Sequence, residues 1–127
     1  MRSDAAVMER LRAVSRADVV IPQPVLAEIE YGVQRLPRSK RRDSLRARFE
    51  LLKAEIARAP WSDEVSERFG AIKAALERQG ERIEDFDVAI AAHAAAEGAV
   101  LVTANVKHLT RVPGIRIENW SETGADT

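Results

Sequence analysis

Apolar residues recur along the chain at two spacings, and the change from one to the other predicts the elements. Val7, Met8, Leu11 and Val14 follow helical spacing behind Ser3 or Asp4, either of which suits an N-cap. Val19, Val20 and Ile21 form a short continuous apolar run after Asp18, which predicts a strand. Pro22 and Pro24 close it and open a second helix, because proline is tolerated in a first turn whose amides have no partner. That helix runs from Val25 to about Leu36, buries Val25, Ile29, Val33 and Leu36, and stops at Pro37. A third helix from about Asp43 to Glu55 carries the stripe Leu45, Phe49, Leu52. Ile56 to Ala59 reads as a second short strand. Ser62 is placed to cap a fourth helix, striped by Val65, Phe69, Ile72 and Leu76 and ended by Gly80.

The stretch EDFDVAIAAHAAAEGAVLVTAN, Glu84 to Asn105, organises the rest. A helix starts at Asp85 or Phe86, with Asp85 as its expected N-cap and Asp87 in its first turn. It ends at Gly98, which suits a left-handed cap. Ala99 to Val102 is then a short apolar run, as a buried parallel strand requires. Thr103 and Asn105 follow at its carboxyl end, the side of an open α/β sheet where ligands bind. One helical turn over His108 to Arg111, a last strand over Ile115 to Ile117, Trp120 packing behind it and a polar tail, SETGADT, complete the chain. Short strands alternating with helices predict an α/β fold, a parallel sheet covered by helices.

Composition narrows the function. At 127 residues the chain suits one compact domain, expected over residues 1–120, with residues 121–127 as a disordered tail. Its 20 basic and 20 acidic residues cancel, so any attraction to nucleic acid must be local. The absence of cysteine excludes disulfides, thiolate metal sites and a cysteine nucleophile, and fits a reducing cytoplasm. No apolar run reaches the ~20 residues that a membrane helix needs.

Two acids stand out. On a helix Asp87 shares a face with Ile90, Ala91 and Ala94, small and apolar neighbours. It is either a first-turn acid favoured by the helix dipole or a ligand for a cation. Glu28 has Pro24, Val25, Tyr31 and Gly32 one turn away, with Gly32 leaving room for a close backbone approach. A carboxylate beside that stripe needs a cation or a partner such as Arg35 or Arg58. Thr103 and Asn105 can bind water, metal or phosphate, or make an ordinary turn. His93, without a second histidine at ligand spacing, reads as a packed, hydrogen-bonded residue. The basic run Arg38, Lys40, Arg41, Arg42 is either a solvated helix start or a set of phosphate contacts. Two carboxylates from different helices are what Mg²⁺ takes together with water and a substrate phosphate, and such a site activates water against a phosphodiester.

VLAEIEYGV (Val25–Val33), DVAIAAHA (Asp87–Ala94), LVTANVKHL (Leu101–Leu109) and RVPGIRIENW (Arg111–Trp120), in that order, resemble the PIN-domain ribonucleases, specifically VapC-like toxins. Each piece alone is loose; the ordered set is specific and runs from about Asp4 to Trp120. The resemblance implies a parallel sheet of four or five strands, RNA cleavage dependent on Mg²⁺ or Mn²⁺, a cognate antitoxin and a homodimer. It places the family's second acid on Glu28, its third on Asp87, and its fourth polar position on Asn105 with Thr103 beside it. Asparagine there is a neutral form of a position that can be aspartate, which weakens the case for a second tightly bound metal. The family begins with a central strand ending in an Asp-Thr-Asn-like motif. This sequence starts inside what would be the first helix, so the expectation is a PIN-like chain one strand and one ligand short. Two functions follow as expectations: a metal-dependent endoribonuclease toxin, or a catalytically impaired PIN remnant that binds only an antitoxin or another copy of itself.

Overall fold

The computed structural model describes residues 13–103 and 106–119. The expected first helix up to residue 12, Asn105, Trp120 and the polar tail lie outside the described residues. The chain forms two compact units, one over Ser15–Pro60 and the other built from Trp61 onward.

In the first unit a 3-10 turn at Arg16–Asp18 leads into β1, Val20–Pro22. The strand ends where Pro22 becomes the N-cap of α1, Gln23–Gln34, with Pro24 in its first turn. Pro24, Leu26 and Val33 are buried, whereas Val25, Ile29 and Leu36 are half-buried, so the inward stripe is rotated slightly from the expected one. Among the described residues nothing outside its own helix lies within 4 Å of a Cβ built on Gly32, so none of them uses the room that Gly32 leaves.

The next helix, α2, spans Lys40–Glu55 and starts three residues before the expected Asp43. The cause is Ser39, whose hydroxyl accepts from the Arg42 amide at 3.1 Å and donates to the Pro37 carbonyl at 3.1 Å. The basic run therefore sits in the first turn rather than ahead of it. Phe49 is the buried anchor of α2, with Leu45 and Leu52 half-buried beside it. The two helices are tied by Arg46, whose guanidinium donates to both carboxylate oxygens of Glu30. β2, Ala57–Ala59, then pairs parallel with β1, Ile21 opposite Arg58.

The second unit opens with α3, Asp63–Arg78, capped by Ser62, which accepts from the Val65 amide at 3.3 Å. Val65, Ile72 and Leu76 are buried as the stripe requires. Gly80, at φ +71°, turns the chain: Glu81 N–H returns to the Leu76 carbonyl at 2.9 Å and Gly80 N–H to Glu77 at 3.1 Å, a Schellman ending. α4 spans Asp85–Glu97 and every residue from Val88 to Ala94 is buried, which its run of alanines allows because small side chains admit close neighbours. Gly98 ends it in the left-handed conformation at φ 62°. β3, Val100–Val102, pairs parallel with β4, Arg116–Glu118, through the short α5, Val106–Leu109. Among the described residues the sheet is thus two parallel pairs, and no helix is long and apolar enough to cross a membrane.

Candidate active site

Asp87 lies where its sequence placed it, in the first turn of α4, and its side chain is half-buried between exposed Phe86 and buried Val88. Position there serves the helix as well, since two acids, Asp85 and Asp87, face its positive end. The expected N-cap at Asp85 is corrected by one residue. Glu84 takes the cap position and makes no side-chain cap bond. Asp85, one position into the helix, is instead engaged by Lys73 of α3, Nζ to Oδ1 3.1 Å.

Thr103 is half-buried directly after β3, and its amide donates to the Glu118 carbonyl at 3.0 Å. The β3–β4 pairing therefore carries on one residue past the strand and fixes the backbone from which the Thr103 hydroxyl projects. Glu28 is exposed on α1 in the other unit. Two residues on, Glu30 is held well below the usual carboxylate range, at about 2, first by the hydrogen bond from Arg46 and then by that from Gln34. The sequence reading did not find this clamp, because it joins residues sixteen apart on two helices. Arg38, Lys40 and Arg41 are exposed and Arg42 half-buried. Three cations in the first turn of α2 oppose its dipole, so local helix energetics do not account for them.

His93 differs from expectation. It is 1% exposed, but neither ring nitrogen has a hydrogen-bond partner among the described residues. Burial pushes its pKa below the ordinary value, against a smaller opposing pull from Glu97. A neutral, apolar-packed imidazole is a poor base and a poor ligand.

Beside α4 lies a cleft of 430 Å³ lined by Arg82, Ile83, Glu84, Asp85 and His108. The sequence reading missed it. The one available signal was the charged stretch GERIED between a glycine stop and a helix start.

The donors singled out for a metal are the carboxylate oxygens of Glu28 and Asp87, which suit a hard cation such as Mg²⁺ and lack the nitrogen or sulfur that zinc prefers. Among the described residues no three acids or histidines cluster as a ready-made cage. Mg²⁺ is compatible with that, because it takes one or two carboxylates and keeps its waters.

Residues 2–115 match the PIN domain. The chain is 33% identical over 104 residues to Ribonuclease VapC2 of Rickettsia felis, covering 82% of this chain and 75% of that one. It is 31% identical over 121 residues to the tRNA(fMet)-specific endonuclease VapC of Shigella flexneri, covering 92% and 86%. The fold matches the crystal structure of DNA-bound VapBC from Salmonella typhimurium with a TM-score of 0.80, at 30% identity and over 91% of this chain and 84% of that one. The chain belongs to the PIN-domain family, among the VapC ribonucleases of toxin–antitoxin systems.

Proposed function

We propose that this chain is a metal-dependent endoribonuclease toxin that cleaves RNA phosphodiester bonds by activated water and is held in check by a cognate antitoxin. The observation that carries the reading is Asp87: a half-buried carboxylate in the first turn of a helix whose next residues are all buried. Val88 to Ala94 hold that turn rigid, so the carboxylate is presented from a fixed support rather than from a loop. Asp87 and Glu28 are the carboxylates assigned to Mg²⁺ or Mn²⁺. Thr103, on a backbone fixed by Glu118, and Asn105 are assigned to positioning water or phosphate. A bound divalent cation supplies water activation and neutralises charge developing on the phosphate.

Arg38, Lys40, Arg41 and Arg42 are assigned to RNA phosphates, a local attraction that a chain of zero net charge requires. The antitoxin follows from the toxin–antitoxin family and from the VapBC structures this fold matches. An arginine from such a partner reproduces the cation's charge against Asp87 or Glu28 by pairing with a carboxylate in a bidentate way. RNA and antitoxin then compete, and the toxin acts as a homodimer in the cytoplasm, where both occur.

The test is cleavage of a single-stranded RNA pool by the purified chain in Mg²⁺, in Mn²⁺ and in chelator. Metal-dependent internal cuts support the enzyme. Uncut RNA with antitoxin binding retained supports a binding module instead.

A further inference from the structure

The cleft bordered by Arg82, Ile83, Glu84, Asp85 and His108 is a feature of the second unit that the acids assigned to catalysis leave unused. Its walls are built rather than incidental. Asp85 is pinned to α3 by Lys73 at 3.1 Å. The Arg82 carbonyl accepts from the Arg111 guanidinium at 3.4 Å, which ties the connection between α3 and α4 to residue 111. Gly80 and the Schellman ending of α3 set the path of the same connection. Asp85 is engaged by Lys73, and Arg82, Glu84 and His108 are the other polar residues of the lining.

We infer that this cleft is a subsite for one unpaired RNA nucleotide flanking the scissile phosphodiester. The inference rests on the ribonuclease reading and adds to it a base-binding position. Three properties support this occupant. At 430 Å³ the cleft has room for a nucleobase and its sugar. The lining mixes a guanidinium and an imidazole, which suit a phosphate, with a carboxylate, which accepts from an amino group on a base edge, and with Ile83 as an apolar wall. Phe86, a residue beyond the cleft-lining Asp85, is 49% exposed. An exposed aromatic ring suits base stacking, which single-stranded RNA recognition uses widely. Asp87, the carboxylate assigned to chemistry, follows the cleft-lining Asp85 by two residues, within the same first turn. Helix capping explains none of this, since Glu84 makes no side-chain cap bond.

The experiment compares the purified full chain with Phe86→Ala, Arg82→Ala and Glu84→Gln, each at an exposed side chain and each checked for an unchanged melting temperature. The probes are short single-stranded RNA oligonucleotides that vary one base at a time. Phe86→Ala and Arg82→Ala each raise KM by roughly tenfold with kcat little changed, the size expected from losing one base stack or one charged contact. Glu84→Gln changes which base is preferred beside the cut, which a purely structural role would not do. Unchanged KM and unchanged cut-site preference in all three, with the parent active, overturn the subsite and leave the ribonuclease reading standing. A parent that neither binds nor cuts RNA overturns both. Loss of antitoxin affinity with RNA kinetics unchanged assigns the cleft to the protein partner and also overturns the subsite.

Discussion

The Trp61 indole meets the His93 imidazole edge-on, ring centroids 5.7 Å apart and planes at 86°. Trp61 also packs on Phe69 of α3, with centroids 5.8 Å apart. His93 is therefore held as an aromatic filler in the second unit, neutral and without a hydrogen-bond partner among the described residues.

Its depressed pKa makes stability depend on pH with a defined sign. Below the ordinary value of 6.5 the unfolded chain binds a proton that the folded imidazole refuses, so stability is full above 6.5 and falls as the pH drops beneath it. His93→Leu removes two buried ring nitrogens without a partner among the described residues, whose burial costs about 1–3 kcal/mol each, and gives up an aromatic contact of about 0.5–1.5 kcal/mol. The variant is expected to be about 1 kcal/mol more stable than the parent at pH 5.5 and to lose the dependence on pH just below 6.5. Denaturant titrations of both proteins at pH 7.5 and 5.5 check this; a parent as stable at 5.5 as at 7.5 contradicts it.

The Glu30–Arg46 clamp gives a second, lower window. Glu30 has its carboxyl pulled from 4.5 to about 2, so the contribution of the pair is present above 4.5 and lost as the pH falls through about 2. Arg46→Met keeps a long side chain over Phe49 but removes the charge and the largest cause of the shift, so the Glu30 carboxyl moves up from about 2 toward its ordinary range, with the Gln34 hydrogen bond still lowering it. A carboxyl-carbon NMR titration reads this directly. An unshifted Glu30 in the variant refutes the clamp.

Arg41 and Arg42 oppose the dipole of α2, so their cost to the helix and their service to RNA separate on mutation. Arg41→Glu with Arg42→Glu is expected to stabilise the fold by about 0.5–2 kcal/mol, because each reversal turns an unfavourable first-turn charge into a favourable one. The same double variant is expected to weaken RNA binding at least tenfold at low salt and to flatten its salt dependence, while antitoxin binding, with its apolar contacts, falls less. Thermal melts and the two affinities decide it. Equal losses for RNA and antitoxin, or none for RNA, leave the run as a solvated helix start.

What the sequence disclosed was what local chemistry dictates. Ser62, Gly80 and Gly98 act where cap and turn preferences place them, and Val20, Ala57, Val100 and Arg116 open four short parallel-paired strands close to their expected positions. Asp87 lies in the first turn of its helix, as its spacing predicted, because the residues that follow it, Val88 to Ala92, are apolar and buried. Errors arose where one group had two local options. Ser39 captured the start of α2, and Glu84 took the cap position expected of Asp85. The Glu30–Arg46 clamp, the Trp61–His93 contact and the cleft at Arg82 and His108 join residues far apart in sequence, which spacing cannot reveal.

Asp87 is the residue on which the functional account depends. The most direct measurement is the rate of RNA cleavage as a function of Mg²⁺ and Mn²⁺ concentration for the parent and for Asp87→Asn, with the melting temperature of each recorded alongside. The substitution keeps the shape of the side chain and removes one charged ligand, which lowers both metal affinity and water activation. The account predicts metal-dependent cleavage by the parent, a loss of at least a hundredfold in the variant, and melting temperatures within a few degrees of each other. Cleavage by Asp87→Asn at the parental rate and with the parental metal dependence would contradict it.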